Sequence, residues 1–166
     1  MDMFIEKIVR KRKSIVDMLY ILLIIVAVII LGYLLAIFVP QFSTILIVGL
    51  LYLAYILISK LNVEYEYALT NGDLDIDMII DQKKRKRLLR ANSKEFDVVA
   101  KVDSLKHTKE IRECKNKKDY TSRRKGADVW FISLRKDGQY TVIFFEPTEK
   151  MIDSIATYIP RKVFKD

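Results

Sequence analysis

The chain has 166 residues, a net charge of +8, one cysteine and one histidine. A single cysteine excludes an intrachain disulfide, and one Cys with one His cannot build the usual zinc site without carboxylates. The length allows about one domain beside any membrane segment, and the basic balance points to anionic partners without choosing among them.

Residues 1–13 read as a basic helix or tail. On a helix Phe4, Ile5, Ile8 and Val9 share one face with Lys7, Arg10 and Lys11 around it, which suits a short interfacial helix on anionic lipid. From Met18 to Ser59 there is no Asp, Glu, Lys or Arg. One helix of that length would measure roughly 63 Å, about twice a bilayer core. Pro40 breaks the run, and Ser43 or Thr44 can cap a second helix. Residues 14–60 therefore read as a two-helix transmembrane hairpin, with spans at 15–39 and 42–59. Basic residues flank both ends and the connector has none, which places both termini in the cytoplasm and makes this a multi-pass protein of the cell membrane. The apolar segment is too long for a signal peptide and shows no small-residue cleavage site. Asp17 falls at the rim of the first span, within reach of water or a nearby Arg.

Residues 61–166 read as one cytoplasmic β domain. In VEYEYALTNGDLDIDMII, apolar and polar residues alternate on both sides of Asn71-Gly72, the signal for a type I′ hairpin. A two-residue turn sets Leu69 opposite Leu74, Tyr67 opposite Ile76 and Tyr65 opposite Met78. The same register sets Glu66 opposite Asp77 and Ala68 opposite Asp75, an acidic stripe that needs counter-charge. If the next segment returns as a third strand, Lys83, Arg85 and Arg87 can compensate Glu66, Asp75 and Asp77. Lys84 and Lys86 then point away, with Arg90 near the strand end. The Asp-x-Asp-x-Asp spacing lacks the glycine and closing glutamate of a calcium loop, so no metal site is assigned.

Residues 94–105 give another strand. Residues 106–128 are polar and basic without period and read as a long loop carrying His107 and Cys114 as ordinary exposed side chains. In DVWFISLRKDGQYTVIFFE, Asp137-Gly138 makes a second hairpin turn. Trp130, Ile132 and Leu134 oppose Phe145, Ile143 and Thr141. Phe131, Val142 and Phe144 make the other face apolar too, and it needs a cover of protein or lipid. After Pro147, Thr148 is an N-cap for an amphipathic helix with Met151, Ile152, Ile155 and Ile159 as its stripe and Tyr158 at the edge. RKVFKD then trails off.

Three stretches resemble a bacterial family of two-span membrane proteins whose C-terminal domain is pleckstrin-homology-like and of unknown function. They are YEYALTNGDLDID (65–77), KRKR (84–87) and FFEPTEKMIDSIATYIPRKVF (144–164). The resemblance covers most of the chain. It implies an α+β architecture: an N-terminal transmembrane helical hairpin followed by a mainly antiparallel pleckstrin-homology-like sheet or barrel, closed by one C-terminal amphipathic helix. It carries no activity to this chain.

No phosphate loop, acid–base pair or nucleophile constellation is present, so the expectation is a non-enzymatic binding or adaptor module without cofactor. Its basic surface (Lys84, Lys86, Arg90, Lys117, Lys118, Arg123, Arg124 and Lys125) would face anionic lipid headgroups, each charge contributing on the order of 1 kcal/mol. The alternative is a membrane-anchored scaffold that takes a protein partner at a sheet edge or on the aromatic hairpin face. Nucleic acid fits poorly, because the basic runs lack interleaved aromatics and the domain is tethered.

Overall fold

The computed structural model describes residues 4–136 and 138–165. The first element differs from expectation. Residues Phe4–Arg10 form a strand, β1, which pairs antiparallel with β2 (Val63–Thr70) over its whole length, from Phe4 opposite Thr70 to Arg10 opposite Glu64. Seven residues are too few to hold a helix in water, whereas the β-branched and aromatic side chains suit a pleated ladder. Ile5, Lys7 and Val9 turn inward. Lys7 hides that alternation, since its ammonium reaches past the apolar layer to the Pro147 carbonyl at 3.3 Å.

Between β1 and β2 the chain runs through two apolar helices, α1 (Ile15–Phe38) and α2 (Ser43–Ser59). Ser14 and Asp17 form a capping box at the start of α1, with the Ser14 N–H donating to Asp17 Oδ2 at 2.8 Å, so Asp17 is occupied by the helix end. The α2 cap differs from expectation: the N-cap is Phe42, and the Ser43 hydroxyl donates to the Pro40 carbonyl at 2.9 Å. The helices touch at Gly32, where an added Cβ would lie 3.9 Å from Ile47. One face of each helix, with Ile21, Ile24, Val28 and Leu35 on α1 and Ile47, Leu50 and Ala54 on α2, is half-buried or buried, while the remaining apolar side chains are exposed. The helix α1 is long and apolar enough to cross a membrane. The 17 residues of α2 span about 26 Å, short of a ~30 Å core.

The β2–β3 hairpin has the expected register throughout, with β3 at Asp73–Ile80. Asn71 (φ 51°) and Gly72 (φ 89°) take the two left-handed positions of the turn. The chain continues through β4 (Lys84–Asn92), a 3-10 turn at Ser93–Glu95 and β5 (Phe96–Lys101). Next come the short helix α3 (Lys109–Glu113), β6 (Lys117–Asp119), β7 (Trp130–Lys136) and β8 (Gln139–Phe145). Helix α4 (Glu149–Tyr158) and β9 (Val163–Phe164) end it. The sheets are ordered β1-β2-β3-β4 and β6-β8-β7-β5-β9, mainly antiparallel, with β6 and β9 added parallel at the edges. Asp137 lies outside the described residues; the register of its hairpin, Trp130 opposite Phe145 to Leu134 opposite Thr141, is as expected.

Both sheets and α4 share one core around Tyr67, Ile76, Phe96, Ile132, Phe145 and Met151. Thr148 caps α4, its hydroxyl accepting from the Met151 N–H at 3.2 Å. The segment expected as a long loop is instead the cover of the second face of β7 and β8. Ile111 of α3 packs with Ala100, Phe131 and Val142, Cys114 joins that cluster, and the His107 ring stands 5.3 Å from that of Phe131. The tail also differs: Val163 and Phe164 pair with Val99 and Ala100.

This topology predicts that residues 61–165 are an incomplete domain. A chain in which a Gly/Ser linker replaces residues 13–61 keeps β1 and should unfold cooperatively in water. Residues 61–165 alone lose the buried Val9 and the β1 ladder, and should be less stable by about 2–3 kcal/mol. Denaturant midpoints for the two chains check this, and equal midpoints would show that β1 contributes nothing.

Candidate anion-binding cleft

Two groups of charges occupy different places on the domain. The first is the ladder across β2, β3 and β4. Glu66 and Asp77 are buried and directly opposed. Arg85 Nη2 lies 2.6 Å from Glu66 Oε2, and Arg87 Nε lies 2.9 Å from Asp77 Oδ1, with its Nη1 3.1 Å from Asp75 Oδ2. Burial raises the Glu66 pKa above the ordinary carboxylate value. The Arg85 guanidinium opposes that shift, while Glu6 and Asp77 add to it.

A bulge in β4 decides where Arg90 goes. Ile76 faces Leu89 while Asp77 faces Arg87, leaving Leu88 as the extra residue. Without it, Leu89 would turn outward and Arg90 inward. With it, Leu89 is buried and Arg90 sits opposite Asp75, its Nε 3.7 Å from the buried Oδ1, which accepts no hydrogen bond. Arg90 thus stands on the outer face of the sheet beside the acids, with its side chain exposed. Lys83 does not reach the stripe. It pairs with Asp81 at 2.9 Å, which lowers the Asp81 pKa and raises its own.

The remaining basic candidates are scattered. Lys86 is exposed opposite Met78. Lys117 donates to the Arg112 carbonyl. Lys118 lines a groove with Leu88 and Tyr120, between β4 and β8. Arg123 pairs with Asp119 at 3.0 Å, and Lys84 stands beside the C-terminal end of α2.

Arg124 and Lys125 belong to the second group. They line a cleft of about 510 Å³ with Arg10, Lys11, Arg12 and Lys13 at the point where the helices leave the domain. Backbone bonds fix both walls. Lys11 N–H donates to the Val63 carbonyl at 2.9 Å, and Arg12 N–H donates to the Ser122 carbonyl at 2.8 Å. Ser122 is in turn held by Glu146 Oε1, which accepts from its N–H at 2.6 Å. Burial pushes the Asp119 carboxyl up, but bonds from Thr121 and Arg123 outweigh this and hold its pKa below the ordinary value, so it pins the loop as an anion. Among the described residues, none of the six cleft cations makes a salt bridge. The sequence pattern assigns Arg10–Lys13 to membrane orientation, and Arg10 and Lys11 also to an interfacial helix on anionic lipid, but not to a cleft with the loop at 122–126. The pairing of Arg12 with Ser122 joins distant parts of the chain, and no local pattern signals it.

The ladder yields a stability prediction. Arg87→Met leaves Asp77 buried beside Glu66 without its main partner. Because Arg87 itself is half-exposed, the expected loss is about 1–2 kcal/mol, against less than about 0.5 kcal/mol for Lys86→Met. The sign of the pH effect follows from Glu66. Its folded pKa is raised, so the stability that protonated Glu66 supplies is lost as pH rises through and above the ordinary value of 4.5. Arg85→Met removes the opposing cation and should steepen that loss between about pH 4.5 and 7. Denaturant titrations at the two pH values check it.

A family model described as Bacterial PH-like domain (DUF6106) matches residues 1–165. Curated proteins and solved structures give no significant match. The matched region spans the sheets, α4 and the helices inserted after β1. An α+β chain with an apolar N-terminal helix and a mainly antiparallel sheet, it belongs to this bacterial family of pleckstrin-homology-like domains, whose function is unknown.

Proposed function

We propose that the protein is a two-span membrane protein whose β domain is a non-enzymatic binding or adaptor module, with the basic cleft set against anionic headgroups of the inner leaflet. One observation carries this reading: six cations that make no salt bridge among the described residues gather around one cleft, beside the ends of two helices whose outer faces expose many large apolar side chains. On the β2–β3–β4 face the cations facing the acidic stripe are paired instead, as Arg85, Arg87 and Arg90 show. Cations left unpaired near an anionic bilayer gain on the order of 1 kcal/mol each. The shortness of α2 suits the reading, since Tyr52, Tyr55 and Lys60 near its C-terminal end can lie at headgroup level. The pairing of β1 with β2 brings both helix ends to one side, in keeping with cytoplasmic termini.

The scaffold alternative loses one of its two surfaces. The outer face of the aromatic hairpin is filled by Ile111 and Cys114, which leaves the sheet edges, such as β1 with exposed Phe4 and Ile8. A partner strand there would bind regardless of lipid charge.

Two measurements test the proposal. In a Cys114→Ser background, Gln41→Cys should react with an impermeant maleimide added outside intact cells, and Lys165→Cys only after permeabilisation. Labelling of both from the outside, or of Gln41→Cys only after permeabilisation, overturns the topology. In nanodiscs, amide exchange at residues 10–13 and 122–126 should slow by about tenfold or more when phosphatidylglycerol replaces phosphatidylcholine. Arg12→Glu with Arg124→Glu should abolish the difference. Equal exchange in both lipids overturns the headgroup reading.

A further inference from the structure

A second cavity, of about 400 Å³, lies where α2 meets the β3–β4 turn, and it shares no lining residue with the basic cleft. Its helix wall is Tyr52, Tyr55 and Ile56, at the i, i+3, i+4 spacing that puts side chains on one face. Ile80 continues that apolar wall from β3. Lys60 and Lys84 stand at its rim, exposed and without a salt bridge among the described residues.

The turn that closes the cavity is held in an uncommon conformation. Asp81 and Gln82 both take left-handed backbone angles, φ 52° and 54°, which cost non-glycine residues energy and persist only where surroundings enforce them. Three contacts do the enforcing. Asp81 N–H donates to the Asn62 carbonyl at 2.9 Å, Lys83 N–H donates to the Ile80 carbonyl at 3.1 Å, and Lys83 Nζ lies 5.8 Å from the centre of the Tyr55 ring. The turn is thereby docked on the helix end, with Lys83 neutralised by Asp81 and the other two lysines left free.

We propose that this cavity seats one anionic glycerophospholipid, with its phosphate between Lys60 and Lys84 and its glycerol and first methylenes along Tyr52, Tyr55 and Ile56. The proposal rests on the protein being membrane-spanning. Charge and polarity select the occupant. A small phosphate would leave the tyrosine and isoleucine wall wet, and a zwitterionic lipid would leave one positive rim uncompensated. An anionic amphiphile satisfies both halves. The seat would lock the β domain against α2 through a lipid that bridges the two.

The test is native mass spectrometry of the full chain in detergent, titrated with phosphatidylglycerol, phosphatidylcholine or glycerol 3-phosphate. One tightly held phosphatidylglycerol per chain is expected, with phosphatidylcholine and glycerol 3-phosphate each at least about tenfold weaker. Lys60→Glu with Lys84→Glu should lower the affinity by about tenfold or more, and Lys60→Gln with Lys84→Gln by less. Tyr52→Ala should lower it without altering the thermal melt. Arg124→Glu with Lys125→Glu should leave this lipid in place. Unchanged retention in both lysine pairs, equal binding of phosphatidylcholine, or competition by glycerol 3-phosphate at equal concentration overturns the proposal. Loss of the lipid in the Arg124 and Lys125 variant places it in the basic cleft and overturns it as well. Maleimide labelling of Gln41→Cys in intact cells separates failure of this seat from failure of the membrane reading.

Discussion

The seven-residue ladder between β1 and β2 is the constraint on which the other features depend. It joins residues on either side of the two apolar helices, so the helices are an insertion within a sheet and not an appendage hung on a finished domain. The ladder fixes where α1 starts and where α2 ends. It also sets Arg10–Lys13 beside the loop at 122–126, which creates the basic cleft. Val9 is buried in the same core as Tyr65 and Ile132, so the segment before the apolar helices is part of the domain interior.

Charge in this molecule divides by whether the fold uses it. Arg85, Arg87 and Arg90 are consumed by buried or half-buried acids, and this follows from a sheet that places two carboxylates face to face. Arg10–Lys13, Arg124 and Lys125 make no salt bridge among the described residues. A solvated cation gains little from a lone surface partner, so its position near an apolar helix end matters more than its count in the sequence. Net charge alone would have weighed both groups equally.

Much of the fold was legible because alternation and turn chemistry act locally. Asn71-Gly72 fixed a register that carried Glu66, Asp75 and Asp77 to one face, and Thr148 marked the start of α4. The missed features all depend on distant partners. Lys7 interrupts the apolar parity of β1, and only its reach to Pro147 explains why it is tolerated there. The Leu88 bulge has no composition signal, yet it moves Arg90 from one side of the sheet to the other. Ile111 and Cys114 are isolated in a polar stretch, and their burial exists only because β7 and β8 offer an apolar face. Of the basic candidates expected in residues 61–166, Arg124 and Lys125 alone line the basic cleft, and Arg10–Lys13 complete it from the far side of the apolar helices.

The insertion also orders events during synthesis. The first strand leaves the ribosome before either helix, and its partner emerges only after both helices have been made. Until both helices have been made and Val63–Thr70 has followed them, β1 has nothing to pair with. On the two-span reading proposed above, a chain whose second helix stayed on the far side would leave the two halves of this ladder separated by the bilayer, with an open sheet edge and a depleted core. On that reading, completion of the sheet is a built-in check on helix insertion, read out as the difference between a closed domain and one exposed to proteolysis.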